Sequence, residues 1–90
     1  MHERALMEDV VRRLEIIALA EGGERVTRIR VRLGALSHFT PEHFREHFED
    51  ATQGTVAEGA EVVAVVDGDT TDPQADGVVV ESVELEVSGS

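Results

Sequence analysis

The chain opens Met1-His2-Glu3, and a histidine directly behind a free amino terminus can chelate a metal through nitrogen alone. The terminal amine, the His2 amide nitrogen and the His2 imidazole all reach one ion. A nearly planar nitrogen set suits Ni(II) or Cu(II) better than Mg(II) or Ca(II), which take oxygen shells. By itself the tripeptide reads equally as the solvated start of a helix. The remaining histidines are His38, His43 and His47. His43 and His47 stand four apart, which places both imidazoles on one side of a helix, the geometry of helix-borne metal pairs. Their ordinary reading is as half-exposed helix residues, because two ligands without a third rarely hold a metal selectively. His38 falls in a loop and is the candidate supplementary ligand, since a loop side chain can approach the amino terminus from outside a sheet.

Other chemistries fall away. Neither Ser37 nor Thr40 has a nucleophile-elbow setting, no glycine loop is built for phosphate, and no carboxylate pair sits in a recognisable catalytic motif. The expectation is therefore that the chain is not an enzyme. Asp67, Asp69, Asp72 and Asp76 hint at a calcium loop, but they lack the closing glutamate of an EF-hand and read as a solvated turn. With no cysteine there is no disulfide framework, no thiolate zinc site and no thiol nucleophile.

The elements that must position these residues are few. Ninety residues make one domain with a modest core. The only aromatics are three Phe in a chain that is 41% hydrophobic, so Val, Leu, Ile and Ala must supply most of the core. A net charge of −11 argues against nucleic acid, whose phosphates need Lys and Arg, and favours cationic or metal-bearing partners. No apolar run approaches the ~20 residues that span a bilayer, and no basic stretch leads to a cleavage site; a cytoplasmic protein is expected.

Leu6, Val10, Leu14 and Ile17 recur at helical spacing, predicting an amphipathic helix from about Glu3 to Ala20 that closes at Gly22-Gly23. From Arg25 to Leu33 the period becomes two. Thr27, Ile29, Val31 and Leu33 share one strand face, and Arg28, Arg30 and Arg32 the other. That arginine row reads as a solvated face laced with Glu, with a docking surface as the alternative. Thr40-Pro41-Glu42 starts a second helix in which Phe44, Phe48 and then Ala51 form the core stripe, and Gly54 ends it. Glu61 to Val66 reads as a well-buried strand. Asp67 to Gly77 is a polar connector, and Val78 to Val87 a last strand with Val79, Val83, Leu85 and Val87 on one face. The fold class is α+β: two helices on a small three-stranded mixed or antiparallel sheet, in the order αβαββ.

Taken together, MHE at the start, the strand VTRIRVRLGALS, the phrase TPEHFREHFEDATQGTVAEGAEV and the closing VESVELEV resemble the HypA family of nickel metallochaperones. That family matures NiFe hydrogenases and in some organisms supplies urease. The resemblance covers nearly the whole chain in order. It implies a nickel-binding domain over 1–90, with Ni(II) held at Met1, His2 and Glu3 by the Met1 amine, the His2 imidazole and the backbone nitrogens of His2 and Glu3. It also implies two partners, a HypB-like GTPase and the hydrogenase large subunit, with the first helix and its neighbouring loop as docking surfaces.

One departure accompanies the match. Family members insert a zinc domain with two CxxC pairs between the second and third strands, where this chain has only the short connector 67–77 and no cysteine. No structural zinc is expected, and the flanking strands are expected to form an ordinary hairpin. Two functions follow: a nickel carrier with a surviving terminal site, or a metal-free interaction or regulatory subunit of the maturation machinery.

Overall fold

The computed structural model describes residues 2–37, 39–71 and 77–87, with the backbone alone for His2 and Glu3. Helix α1 (His2–Ala20) buries Met7, Val10, Leu14 and Ala18, and Leu14 is fully enclosed. Val10 and Leu14 hold the stripe read from the sequence, while Met7 and Ala18 take the buried places expected for Leu6 and Ile17, which are only partly buried. The opposite side carries ion pairs on one carboxylate: Asp9 meets Arg12 at 2.9 Å and Arg13 at 3.0 Å. Gly22, at φ 70°, takes the left-handed conformation that ends the helix. Strand β1 begins at the next residue.

β1 (Gly23–Leu33) is the centre of a mixed sheet ordered β2-β1-β3, where β2 is Glu61–Val66 and β3 is Val78–Val87. β2 runs parallel to β1, with Ile29 beside Val62, and β3 runs antiparallel, with Ile29 beside Val83. The expected hairpin between the last two strands is therefore corrected. β1 lies between them, and the connector leaves β2 and enters β3 at the Leu33 end of β1. Both ends of the connector are tied there: the Asp67 amide donates to the Leu33 carbonyl at 2.8 Å, and the Gly34 amide to the Gly77 carbonyl at 2.9 Å.

Three face assignments also change, each for a local reason. Irregular pairing between Val26 and Arg28 turns Val26 into the core in place of Thr27. A similar shift opposite Arg30 and Val31 turns Val78 and Val80 inward with Val83 and Leu85, in place of Val79. Val87 stays exposed. Bulges of this kind break the two-residue period, which a sequence pattern assumes throughout. β2 is an edge strand whose Val65 and Val66 are exposed, rather than a well-buried one.

Both helices cover one face of the sheet. On the other, Arg28 bridges Glu84 at 3.2 Å and Glu61 at 3.4 Å, Arg30 meets Glu81 at 3.4 Å, and Arg32 meets Asp67 at 3.5 Å. The hydrogen bond to Glu84, with the nearby charges of Glu61 and Glu84, raises the Arg28 pKa above its ordinary value. The arginine row is thus a solvated, acid-laced face, whose exposed pairs add little to stability.

Helix α2 (Pro41–Ala51) starts as its sequence dictates: Pro41 occupies the first turn, and the Thr40 hydroxyl accepts from the His43 amide at 3.0 Å. Thr40→Ala is expected to lower stability by about 1 kcal/mol, measured by urea unfolding, with Thr40→Ser near neutral. Phe44 and Phe48 are buried and stacked, with ring centroids 6.0 Å apart. Ala51 is exposed, and Thr52 takes its place in the core. The Thr52 hydroxyl repays its burial by donating to the Phe48 carbonyl at 2.8 Å. The helix ends at Ala51, with Gly54 in the following turn at φ 79°.

The described start of the connector is a chain of side-chain turns. Asp67 accepts from the Asp69 amide at 3.0 Å, and Asp69 accepts from both the amide and the hydroxyl of Thr71, at 2.9 and 2.6 Å. These bonds use the aspartates as turn formers; Asp72 and Asp76 lie outside the described residues. The hydroxyl bond, then the amide bond, holds the Asp69 pKa below its ordinary value. A depressed folded-state pKa contributes stability above the unfolded value, and that contribution is lost as pH falls through the folded one. Thr71→Val should accordingly move the Asp69 titration, followed by carboxyl NMR, back up toward the usual range.

Candidate metal centre

Of the residues singled out at the amino terminus, Met1 lies outside the described residues, as does His38, while the backbone of His2 and Glu3 forms the beginning of α1. That location has a chemical consequence. The first amides of a helix have no intrahelical acceptor, so the His2 and Glu3 nitrogens can turn to a metal without breaking a helical hydrogen bond.

Topology fixes which end of the molecule this is. Only Glu21 and Gly22 join α1 to β1, and the two elements pack together, so they run in opposite directions. At 19 residues, α1 spans ~28 Å, which carries its start back toward the end of β1 at Leu33. The loop leading to α2 leaves from that same end, and the connector after β2 is tied to it.

The histidines whose side chains the structure describes are His43 and His47. Their Nε2 atoms lie 2.8 Å apart, and the ring centroids 4.4 Å. Both are half-buried. Phe39, itself buried, packs against them at centroid distances of 5.7 and 6.3 Å. Sequence spacing put the two rings on one side of α2; their approach through Nε2, with Phe39 packed against both, is not located by the spacing alone. Among the described residues no group of three or more His, Asp or Glu side chains is placed to hold an ion. Among those residues, too, no helix is long and apolar enough to cross a membrane.

A two-layer αβαββ domain with a mixed sheet and a nitrogen-rich amino terminus is the class of protein so defined, and comparison with known proteins narrows it. Residues 1–71 match the family model described as "Hydrogenase/urease nickel incorporation, metallochaperone, hypA". The hydrogenase maturation factor HypA of Methylocella silvestris is 48% identical over 60 residues, which are 67% of this chain and 53% of that protein. HypA of Acidithiobacillus ferrooxidans is 42% identical over 67 residues, 72% of this chain and 59% of that protein. The solution structure of the Ni metallochaperone HypA from Helicobacter pylori superposes with a TM-score of 0.79 at 16% identity, covering 98% of this chain and 100% of that one; this likeness concerns the fold. The chain belongs to the HypA family. It spans between half and two thirds of the length of these curated relatives.

Proposed function

We propose that the chain is a nickel-binding, metallochaperone-like protein for the maturation of NiFe hydrogenase or urease, with Ni(II) as its cargo at Met1, His2 and Glu3. The observation that carries this reading is the sequence Met1-His2-Glu3 leading directly into α1 in a chain of the HypA family. The Met1 amine, the His2 imidazole and the backbone nitrogens of His2 and Glu3 supply the donors, a set suited to tetragonal Ni(II). His38 is a supplementary ligand from the loop after β1. A cation at a helix start opposes the helix dipole, and Glu3 adds a compensating negative charge in the first turn.

A site at a chain end costs little to open. It passes its ion by ligand exchange, which a structural metal site resists, and it performs no catalysis. The recipients are a HypB-like GTPase and the hydrogenase large subunit, met in the cytoplasm. In this reading residues 1–90 form a single nickel-binding domain, and 67–77 occupies the place of the family's zinc domain. A chain without cysteine has no thiolates for that zinc.

A calorimetric Ni(II) titration of the protein starting at Met1, beside His2→Ala, tests the reading. One high-affinity equivalent in the parent, at least ~100-fold weaker in His2→Ala, is expected, since an anchoring ligand is lost and the four-nitrogen set is left incomplete. Equal binding by both sinks it. The second reading is a metal-free interaction or regulatory subunit, favoured by the missing cysteines. It requires that capture of the GTPase or large subunit, and hydrogenase maturation in cells, survive His2→Ala unchanged.

A further inference from the structure

We propose that His43 and His47 form a second metal site, a two-imidazole chelate on α2 for a late first-row divalent cation such as Ni(II) or Cu(II). It rests on the geometry of α2.

Two Nε2 atoms at 2.8 Å can share only one proton along the contact: one ring donates and the other offers its lone pair. A metal ion replaces that shared proton when both rings carry their hydrogen on Nδ1. The spacing already suits it. Two nitrogens each about 2.0–2.1 Å from a metal stand ~2.8–3.0 Å apart when they subtend a right angle, and ~3.3–3.4 Å apart in a tetrahedron. The observed separation is that of neighbouring positions in a square-planar or octahedral shell.

The pair is also held in advance. The Thr40 hydroxyl fixes the first turn through the His43 amide, and Phe39 packs against both rings. Ligands held near their bound geometry lose less freedom on binding. Around them α2 exposes Glu42, Glu46, Glu49 and Asp50, so the local field attracts cations. Imidazole donors select such a site against Mg(II) and Ca(II).

The test uses His2→Ala protein, in which the terminal chelate is weakened by loss of its imidazole. Histidine ring NMR during titration with NiCl₂, and separately CuCl₂, should show the His43 and His47 signals displaced or broadened together by one equivalent, with MgCl₂ leaving them unchanged. His43→Gln and His47→Gln should each weaken binding by at least about 10-fold while keeping the far-UV circular dichroism of the parent. If a glutamine variant unfolds, the ring signals of the His2→Ala protein still decide. Perturbation confined to His38, or none at one equivalent, overturns the proposal. Failure of the terminal site would appear separately, as Ni(II) binding that is the same with and without His2→Ala.

Discussion

Phe44→Ala is expected to lower the unfolding free energy by about 3–5 kcal/mol, a large share of a total of roughly 5–15 kcal/mol. Phe44 is fully enclosed, meeting Phe39 edge-on at 5.6 Å and Phe48 in a stack at 6.0 Å. These three rings are the whole aromatic content of the chain. The same core contains Val26, Ile29, Val31 and Leu33 of β1, and three of those four side chains are β-branched and stiff at χ1. They cannot swing to fill a ring-sized void, so the cavity term adds to the lost transfer energy. Phe44→Leu refills much of the space and should cost clearly less. Urea unfolding followed by circular dichroism measures both. A loss below about 1 kcal/mol for the alanine variant would mean that α2 is not the keystone its burial implies.

What the sequence made legible follows from where one period holds. The stripe of α1, the Thr40-Pro41 start of α2 and the Phe44–Phe48 stack are all local patterns, and all appear in the structure. Errors arose where a distant partner decides. Irregular pairing between β1 and β3 exchanged Thr27 for Val26 and Val79 for Val78 and Val80, which no pattern within one strand can signal. The supposed hairpin failed because the short connector 67–77 invites a direct turn, whereas β1 already occupies the place between β2 and β3. The apolar run of β2 suggested burial, but an edge strand leaves Val65 and Val66 open to solvent. The terminal nitrogen set is a matter of composition and order rather than of packing. Its proposed donors are readable in the first three residues, whereas the approach of the His43 and His47 rings through Nε2 needs the rotamers that only the structure supplies.

An amino-terminal extension of even two residues should abolish high-affinity Ni(II) binding at the proposed terminal site, a larger effect than any single side-chain change there. The extension turns the Met1 amine into a peptide amide, a far poorer donor, and removes the one strong primary donor of the set. His2→Ala still leaves the amine, so its residual binding should exceed that of the extended form. The extended chain keeps every packing contact described here, since the core begins at Leu6 and Met7; its urea midpoint should match the parent's, which separates loss of a ligand from loss of fold. Proton competition gives an independent signature. A free amine ordinarily titrates at about 7.7–8.0 and an imidazole at about 6.5, and metal binding must release whatever protons these groups and the coordinating amide nitrogens carry. Parent affinity should therefore fall steeply from pH 8 to pH 6, roughly tenfold per pH unit for each proton displaced. The extended form, which has no terminal amine proton to displace, should show a weaker and shallower dependence. Isothermal titration at three pH values in buffers of different ionisation enthalpy counts the released protons directly. A parent and an extended chain with the same affinity and the same proton release would show that the amine is not a ligand and remove the terminal site.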